Sequence, residues 1–408
     1  MGVEFRPAEV GEMDGFRRVM SYAFAEHRNE WPVIAAELSL CAFMERELVA
    51  TSGAWPFTLR WNGRPASAAG VTMVATAPEL RRRGLLRGIM TAALPRFRER
   101  GQAIAVLWAS FGAIYQRFGF GPASHTLYYR IDPRQAGLTD PTPAPGRVER
   151  LAASEALGLI KPLYVEHATP RTLALHRGQA FWDFGILRQA EGEGVFAAVY
   201  RATDGAPRGY AVYETRMPPT HGAPNRDPEL IAPFQDLVVR DWVALDAEAY
   251  RGLWQYLCAH DLVRRVQMGP LPVDDPAPLL LAEPRQLRRR VNDGIWLRVV
   301  DVERALAQRG YAAPGEITLQ VHGDPLCDWN EGTYQLEAGQ EGEVSVRRVG
   351  AVPDLTLPPR TLATLLAGHA SASELFMAGL LDAKDPAVLA RADVLFATRH
   401  RPHCADNF

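Results

Sequence analysis

The sequence predicts an α/β protein, in the broad sense that includes α+β arrangements, with two or three domains. Its 408 residues exceed the roughly 250–300 residues at which a single hydrophobic core stops growing. The first third shows the order strand, glycine turn, helix and buried strand, which is typical of an α/β unit. A second stretch shows a similar order, and a third begins with another strand, turn and helix. These observations predict repeated α/β domains.

The first domain is expected at residues 1–145. A helix is predicted at 13–26, followed by two strands at 48–57 and 69–77. A second helix is predicted at 85–100 and a further strand at 103–110. The second helix should end at Gly101, a residue type common just after helix ends, and Pro95 should kink it. The proline-rich segment 139–147 predicts a connector to the next domain.

The second domain is expected at residues 146–284. Its predicted helices lie at 154–167 and 247–257, and its predicted strands at 195–200, 209–214 and 237–243. The turn before the second of these helices carries Asp246 and no glycine. An aspartate there predicts a helix N-cap, whose carboxylate would occupy and repel an anion site. We therefore expect a copy of the first fold that lacks a cofactor site.

The third domain is expected at residues 285–408. Three strands are predicted at 317–322, 332–337 and 343–348, followed by an amphipathic helical tail over 359–396. The basic run at 285–290 has no interleaved aromatic residues. Such a run predicts a solvated domain junction rather than a nucleic-acid patch.

Composition limits the function classes and the compartment. A net charge of −2 provides no overall attraction to nucleic acid or to anionic membranes, so we expect neither as a partner. The four cysteines are widely separated, which indicates reduced thiols in a cytoplasmic protein. The first residues lack the apolar core of a signal peptide, and no apolar run approaches the ~20 residues that span a bilayer. We expect a soluble, cytoplasmic protein.

The stretch PELRRRGLLRG, residues 78–88, follows a predicted strand and begins a predicted helix. A helix that starts at a glycine turn presents unpaired N–H groups and the positive end of its dipole, and Gly84 allows a close backbone approach. Arg82, Arg83 and Arg87 add positive charge there. Each arginine opposes the dipole at a cost of ~0.3–1 kcal/mol unless an anion binds. A phosphate-bearing cofactor therefore explains the motif better than a solvated charge run.

Two further features extend this prediction to an acyl-transfer site. The strand residues Val74, Ala75 and Thr76 precede the motif, and their edge could pair with the amides of a pantetheine arm. Tyr115 follows the buried strand at 103–110. A phenol, with a reference pKa of ~10, suits a general acid that protonates a departing thiolate. The alternative for Tyr115 is a core tyrosine in a short helix.

These motifs resemble the GNAT acetyltransferase superfamily, and more closely the enhanced intracellular survival (Eis) family. The resemblance rests on V-x-T-x-P before RRRGLL, on S-x-G-x-I-Y-x-R-F-G-F-G-P-A, on D-G-I-W-L-R and on A-L-x-x-R-G-Y. It covers essentially the whole chain. It implies two GNAT-type domains, of which only the first binds acetyl-CoA, and a C-terminal domain similar to sterol carrier proteins. It also implies a homohexamer that acetylates amines such as aminoglycosides, polyamines and lysine side chains, without a metal.

The resemblance also implies roles for individual residues. Tyr115 would be the general acid, and the carboxylate of the last residue, Phe408, would be the base. Acetyl-CoA would be bound by Val74, Ala75, Thr76, Arg82, Arg83, Gly84, Leu85, Leu86, Arg87, Ser110 and Phe111. A free α-carboxyl has a reference pKa of ~3.3–3.7, which burial would raise towards that of a useful base. The family pattern has an acid at the penultimate position, where this chain has Asn407.

Other residues leave alternatives open. Glu26 and Glu30 are candidate carboxylates for the amine pocket, and Trp31 either lines that pocket or is an aromatic anchor at the surface. His400, His403 and Cys404 have no fourth ligand at a useful spacing, so we expect no metal. The competing hypothesis for the whole chain is a non-catalytic protein that senses acyl-CoA or binds lipid through its C-terminal domain.

Overall fold

The computed structural model describes residues 2–25, 34–188, 194–216 and 235–408. The chain forms two compact units. The first unit comprises Met1–Ser124, Gly294–Pro402 and Asp406–Phe408, and the second comprises His125–Asp293 and His403–Ala405. No helix in the described ranges is long and apolar enough to cross a membrane.

The N-terminal part of the first unit contains six strands and three α-helices in its described residues. The strands are β1 (Val3–Arg6), β2 (Cys41–Met44), β3 (Glu47–Trp61), β4 (Arg64–Thr76), β5 (Ile104–Trp108) and β6 (Gly121–Pro122). The helices are α1 (Met13–Phe24), α2 (Leu85–Glu99) and α3 (Gly112–Gln116). The helix predicted at 85–100 is confirmed, and Gly101 follows it with a φ of +74°. The helix predicted at 13–26 is shorter, because Ala25 is left-handed and ends it.

Within its described residues, the second unit contains seven strands, three α-helices and a short π-helix (Phe181–Ile186). The strands are β7 (His125–Ile131), β8 (Arg147–Ala152), β9 (Val195–Arg201), β10 (Pro207–Arg216), β11 (Gln235–Ala244), β12 (Val263–Leu271) and β13 (Arg290–Asp293). The helices are α4 (Ala153–Ala168), α5 (Ala247–Cys258) and α6 (Ala277–Leu280). Asp246 is the predicted N-cap of α5, and its carboxylate accepts a 2.8 Å hydrogen bond from the backbone N–H of Ala249.

The C-terminal part of the first unit contains six strands and four helices. The strands are β14 (Ile295–Val299), β15 (Gly315–Val321), β16 (Gly332–Ala338), β17 (Val344–Arg348), β18 (Leu355–Leu357) and β19 (Asp382–Ala383). The helices are α7 (Val302–Gln308), α8 (Pro359–Ala367), α9 (Ala372–Met377) and α10 (Pro386–Phe396). The helical tail predicted over 359–396 consists of three separate helices, with the short strand β19 between α9 and α10. Left-handed Gly368 ends α8, a capping box at Ser371 starts α9, and Asp385 caps α10.

The strands form three sheets. The first unit holds β1-β2-β3-β4-β5-β14-β6 and β17-β16-β15-β18-β19, and the second unit holds β13-β7-β12-β11-β10-β9-β8. Strand β14 lies between β5 and β6, antiparallel to both, although nearly 170 residues of the second unit precede it in the chain. The boundaries expected near 145 and 284 thus differ from the positions where strands change sheet, after Ser124 and before Gly294.

Buried hydrogen bonds join the two sheets of the first unit. Trp61 at the end of β3 donates its Nε1–H to the oxygen of Leu366 in α8 at 2.9 Å. Arg309, which is fully buried, donates to the same oxygen at 2.8 Å and to Gly310 at 2.7 Å. Its burial lowers the pKa of the Arg309 guanidinium to about 10. These bonds fix the C-terminal helices, and the tail after them, against the N-terminal sheet.

Candidate active site

Strands β4 and β5 are parallel neighbours that separate partway along their length. Ala68–Gly70 of β4 pair with Ile104–Val106 of β5. Both strands then continue, β4 to Thr76 and β5 to Trp108, with no further pair between them in the described part of the chain. The β5-facing edge of β4 is therefore available to an extended ligand, as the sequence predicts for residues 74–76.

A β-bulge lies in β4 beside this opening. Met73 and Val74 lie opposite the single residue Ser52 of β3, and Met73 has a φ of +55°. The carbonyl oxygen of Met73 accepts a 2.8 Å hydrogen bond from the Thr51 hydroxyl. Val74 packs in the core shared with α2, whereas Ala75 packs in the core shared with α1. A bulge increases local twist, which accounts for the divergence of β4 from β5.

The N-terminus of α2 has no side-chain cap. Its N-cap residue, Gly84, has a φ of +81°, and no acidic residue lies in the first turn. Arg82, two residues earlier, is left-handed with a φ of +65°. That conformation costs a non-glycine residue roughly 1–2 kcal/mol, and such strain clusters at ligand-binding loops. The free N–H groups of this turn form a ready anion site.

Three exposed arginines surround that helix N-terminus. Arg82, Arg83 and Arg87 form no ion pair with any carboxylate in the described ranges. The guanidinium of Arg87 lies 5.8 Å from the ring centroid of Phe118. Their uncompensated charge stands at the positive end of a helix dipole, where only a bound anion would make it favourable. Ser110 and Phe111, in the turn after β5, are also exposed.

Tyr115 lies in α3 and is 7% exposed. Its ring packs edge-on against Phe120, with centroids 5.8 Å apart, in the core that also contains Val74, Leu85 and Leu86. The hydroxyl makes no hydrogen bond to a residue that the structure describes. Burial disfavours the phenolate and raises the pKa of Tyr115 to about 12. The side chain therefore keeps its proton at neutral pH and has one to donate.

The last residues of the chain reach the separation of β4 and β5. The ring of Phe408 packs edge-on against Phe57, with centroids 4.9 Å apart. The Phe57 ring packs directly on Gly70, the last residue of β4 that pairs with β5. A Cβ added to Gly70 would lie only 2.1 Å from this ring. On the β5 side, Trp108 donates its Nε1–H to the main-chain oxygen of Asp406 at 2.9 Å. The Phe408 carboxylate makes no ion pair with any described residue.

Several of the predicted site residues lie close together in the structure, and others belong to segments that the structure does not describe. Val74, Leu85, Leu86 and Tyr115 share one core, as stated above. Of the tail residues, Asn407 is exposed and Asp406 is 5% exposed. The amine-pocket candidates Glu26, Glu30 and Trp31 lie outside the described residues. Within those residues there is no group of three or more His, Cys, Asp or Glu side chains that could hold a metal ion.

Sequence reasoning missed the residues that hold the tail. Phe57, Gly70 and Trp108 belong to strand patterns whose apolar character explains them without a special role. The one available signal was Trp108, because a buried indole N–H needs an acceptor. Its acceptor lies 298 residues further along the chain, beyond the reach of any local pattern.

Family comparisons define the class of protein that this fold and site belong to. Models of the acetyltransferase (GNAT) domain match residues 4–123 and 173–299, and a sterol carrier protein domain matches residues 302–405. The predicted fold of two GNAT-type domains and a sterol-carrier-like domain is confirmed. The chain is thus a GNAT acetyltransferase, a class of enzyme that uses acetyl-CoA as its acetyl donor.

Individual relatives narrow the class to one family. The N-acetyltransferase Eis of Mycobacterium tuberculosis is 31% identical over 340 residues, which cover 81% of this chain and 78% of that protein. An uncharacterized N-acetyltransferase of Streptomyces avermitilis is 32% identical over 97% of this chain and 94% of its own length. The crystal structure of Eis1 from Mycobacterium abscessus superposes with a TM-score of 0.82 at 28% identity, with 100% of both chains covered. The chain belongs to the Eis family of GNAT N-acetyltransferases, as the sequence motifs predict.

Proposed function

We propose that this enzyme transfers the acetyl group of acetyl-CoA directly to primary amines in a ternary complex. The observation that carries the proposal is the separation of β4 and β5 after Gly70 and Val106. The same domain contains an arginine-rich helix N-terminus without a side-chain cap, and the Tyr115 hydroxyl, which has no hydrogen-bond partner among the described residues. A cofactor with a diphosphate at one end and a thioester at the other matches this arrangement.

The proposed cofactor contacts use the backbone N–H groups, arginines and strand edge described above. The diphosphate of acetyl-CoA binds the N–H groups after Gly84, with Arg82, Arg83 and Arg87 as charged partners. The pantetheine amides pair with the free edge of β4 at residues 74–76. An N–H of this edge holds the thioester carbonyl oxygen as negative charge develops on it. The remaining predicted contacts, Leu85, Leu86, Ser110 and Phe111, flank this path.

Two groups of the chain handle the protons. The neutral amine attacks the thioester carbonyl carbon, a C–N bond forms, and the C–S bond breaks to release coenzyme A thiolate. Tyr115 donates its phenolic proton to that thiolate, which suits a hydroxyl with no partner among the described residues. The carboxylate of Phe408 accepts the proton that the amine nitrogen loses. Tyr115 is then reprotonated from solvent.

The acceptor class is inferred from the family. We propose small molecules with several primary amines, of the aminoglycoside or polyamine type, as acceptors, with lysine side chains as a second class. We also propose a cytoplasmic homohexamer, which light scattering on the purified protein would test. Neither nucleic acid nor a membrane is part of the proposal.

The decisive experiment measures thiol release from acetyl-CoA with a panel of aminoglycosides, polyamines and lysine peptides, and measures acetyl-CoA binding in parallel. Amine-dependent thiol release by the wild-type enzyme supports the proposal. Acetyl-CoA binding without thiol release for any amine would instead establish the competing sensor hypothesis. Release with peptides alone would make protein lysines the acceptors and would overturn the small-molecule assignment.

A further inference from the structure

The second unit contains a surface pocket whose walls are mainly arginine. Its volume is about 260 Å³. Five arginines and one carboxylate account for its charge, namely Arg130, Arg134, Arg264, Arg265, Arg288 and Asp132. The proposed acetyl transfer, which lies in the first unit, does not use any of them.

The pocket lies at one end of three neighbouring strands, β13, β7 and β12. Arg130 is at the end of β7, Arg265 is at the beginning of β12, and Arg288 precedes β13 by two residues. At the same end of the sheet, the first residues of β11 pair in parallel with the first residues of β12, and β11 then continues to Ala244 at the opposite end of the sheet. The pocket is therefore at the paired end of these strands, opposite the end where a GNAT cofactor would enter. It is not a remnant of a second acetyl-CoA site.

The charges around the pocket are not balanced. Arg134 pairs with Asp132 at 2.6 Å, and Arg264 pairs with Asp236 at 2.9 Å. The Arg134 guanidinium, with a smaller contribution from Arg288, holds the pKa of the Asp132 carboxyl below its usual range. Arg130, Arg265 and Arg288 form no ion pair with a carboxylate in the described ranges. Three positive charges thus converge on one cavity and repel each other.

The backbone supports a fixed position for one of them. Arg288 has a φ of +45°, in the left-handed region that a non-glycine residue rarely adopts. The segment before it is a 3₁₀ turn capped by the Glu283 carboxylate, which accepts from the N–H of Arg285. Strained backbone of this kind persists where the surroundings require it and is found at binding sites. The arginine is therefore held at the mouth of the pocket and does not project from a regular element.

We propose that this pocket binds a small polyanion with one or two phosphate groups, such as pyrophosphate or the diphosphate of a nucleotide. Guanidinium groups bind phosphate oxygens in bidentate pairs, and the donors of Arg130, Arg265 and Arg288 have no hydrogen-bond partner among the described residues. A pocket of about 260 Å³ has room for one or two phosphate groups. A nucleic-acid strand or an acidic peptide would need an extended groove.

The test is calorimetric titration of the full-length protein with inorganic pyrophosphate and, separately, with ADP. The variants are R130Q/R265Q, which removes two unpaired charges of the pocket, and R208Q, which removes an exposed arginine of β10 as a matched control. R82Q/R83Q removes charge from the proposed cofactor site in the first unit. We expect R130Q/R265Q to weaken pyrophosphate binding in the second unit at least tenfold, and both other variants to retain it. Tighter binding of ADP than of pyrophosphate by R82Q/R83Q, in which the first-unit site is weakened, would identify a nucleotide as the source of the phosphates.

Three results would overturn the proposal. One is unchanged pyrophosphate binding by R130Q/R265Q when its circular dichroism matches that of the wild type. Another is loss of all pyrophosphate binding in R82Q/R83Q, which would assign the anion to the first unit alone. The third is binding of single-stranded DNA or polyglutamate with no binding of pyrophosphate or ADP. The single variant R288Q, which changes one exposed side chain, repeats the test if the double variant does not fold.

Discussion

The indole of Trp108 and the main-chain oxygen of Asp406 are joined by a 2.9 Å hydrogen bond. Trp108 is the last residue of β5, at the point where that strand has left β4, and Asp406 is two residues from the end of the chain. The bond therefore holds Asp406 at the end of β5, beside the opening to which the proposed mechanism assigns the thioester. A chain end held in this way is unusual, because the last residues of most domains are poorly ordered.

Replacing Trp108 with phenylalanine should lower kcat while leaving KM for acetyl-CoA unchanged. The variant loses one hydrogen bond to the tail, worth about 0.5–1.5 kcal/mol, so we expect a decrease of about 2- to 12-fold. Steady-state kinetics against both substrates measure the two constants. Phe57→Leu is the matched control for lost ring packing against Phe408. An unchanged kcat for both variants would show that the tail position does not limit the reaction.

Tyr115→Phe should reduce kcat by about 10²- to 10⁴-fold, with little change in the binding of the amine, because a general acid contributes a factor of that size. The pH dependence gives a second readout. An acid works only while protonated, so activity is lost as pH rises through its pKa. Since the pKa of Tyr115 is raised to about 12, kcat of the wild type should show no alkaline loss up to about pH 10. A descending limb near neutral pH would assign the acid to another group.

A short peptide added after Phe408 should abolish most of the activity, because it converts the terminal carboxylate into an amide. The same peptide added at the N-terminus is the control and should leave kcat unchanged. Phe408→Ala keeps the carboxylate and removes only the ring contact with Phe57, so its loss should be smaller. Thiol-release assays on the three proteins provide the comparison. Full activity in the extended protein would place the base elsewhere in the chain.

Local sequence signals predicted the elements whose ends are set by single residues. The bounds of α2 were right to one residue, because Gly84 and Gly101 have the positive φ values that begin and end it. The pairing of β14 was not predictable in the same way. The sequence predicts a strand at the beginning of the third stretch, but local patterns contain no information about its partner in β5. The amphipathic pattern over 359–396 likewise did not indicate that the first helix ends at Gly368.

The sequence predicted those residues of the candidate site that belong to short contiguous motifs. The arginines before α2 and the tyrosine of α3 are each recognisable within a short motif. The bulge at Met73 was not predictable, because no local sequence feature indicates a positive φ for a methionine. Nor was the contact of Phe408 with Phe57, which spans almost the entire chain. Only tertiary structure brings those residues together.

Changing Arg82 and Arg83 to glutamine should raise KM for acetyl-CoA about tenfold or more and lower kcat much less. The two guanidiniums have no partner in the part of the chain that the structure describes, and charged hydrogen bonds to phosphate are worth about 1.5–3 kcal/mol each. KM of the wild type should also rise with salt, and that of the variant less steeply. Arg147→Gln, an exposed arginine of β8, is the control. An equal KM for variant and wild type would exclude the α2 N-terminus as the diphosphate site.

Gly121→Ala should destabilise the first unit by about 1–3 kcal/mol, the range for overpacking a tight contact. A Cβ on Gly121 in β6 would lie 2.1 Å from the backbone oxygen of Arg360 in α8, and backbone cannot move aside as a side chain can. Because α8 helps to fix the C-terminal tail, catalysis should fall together with stability. Gly137→Ala, where a Cβ meets nothing within 4 Å, is the matched control and should unfold like the wild type. Equal denaturation midpoints for the two variants would mean that β6 and α8 do not pack as closely as described.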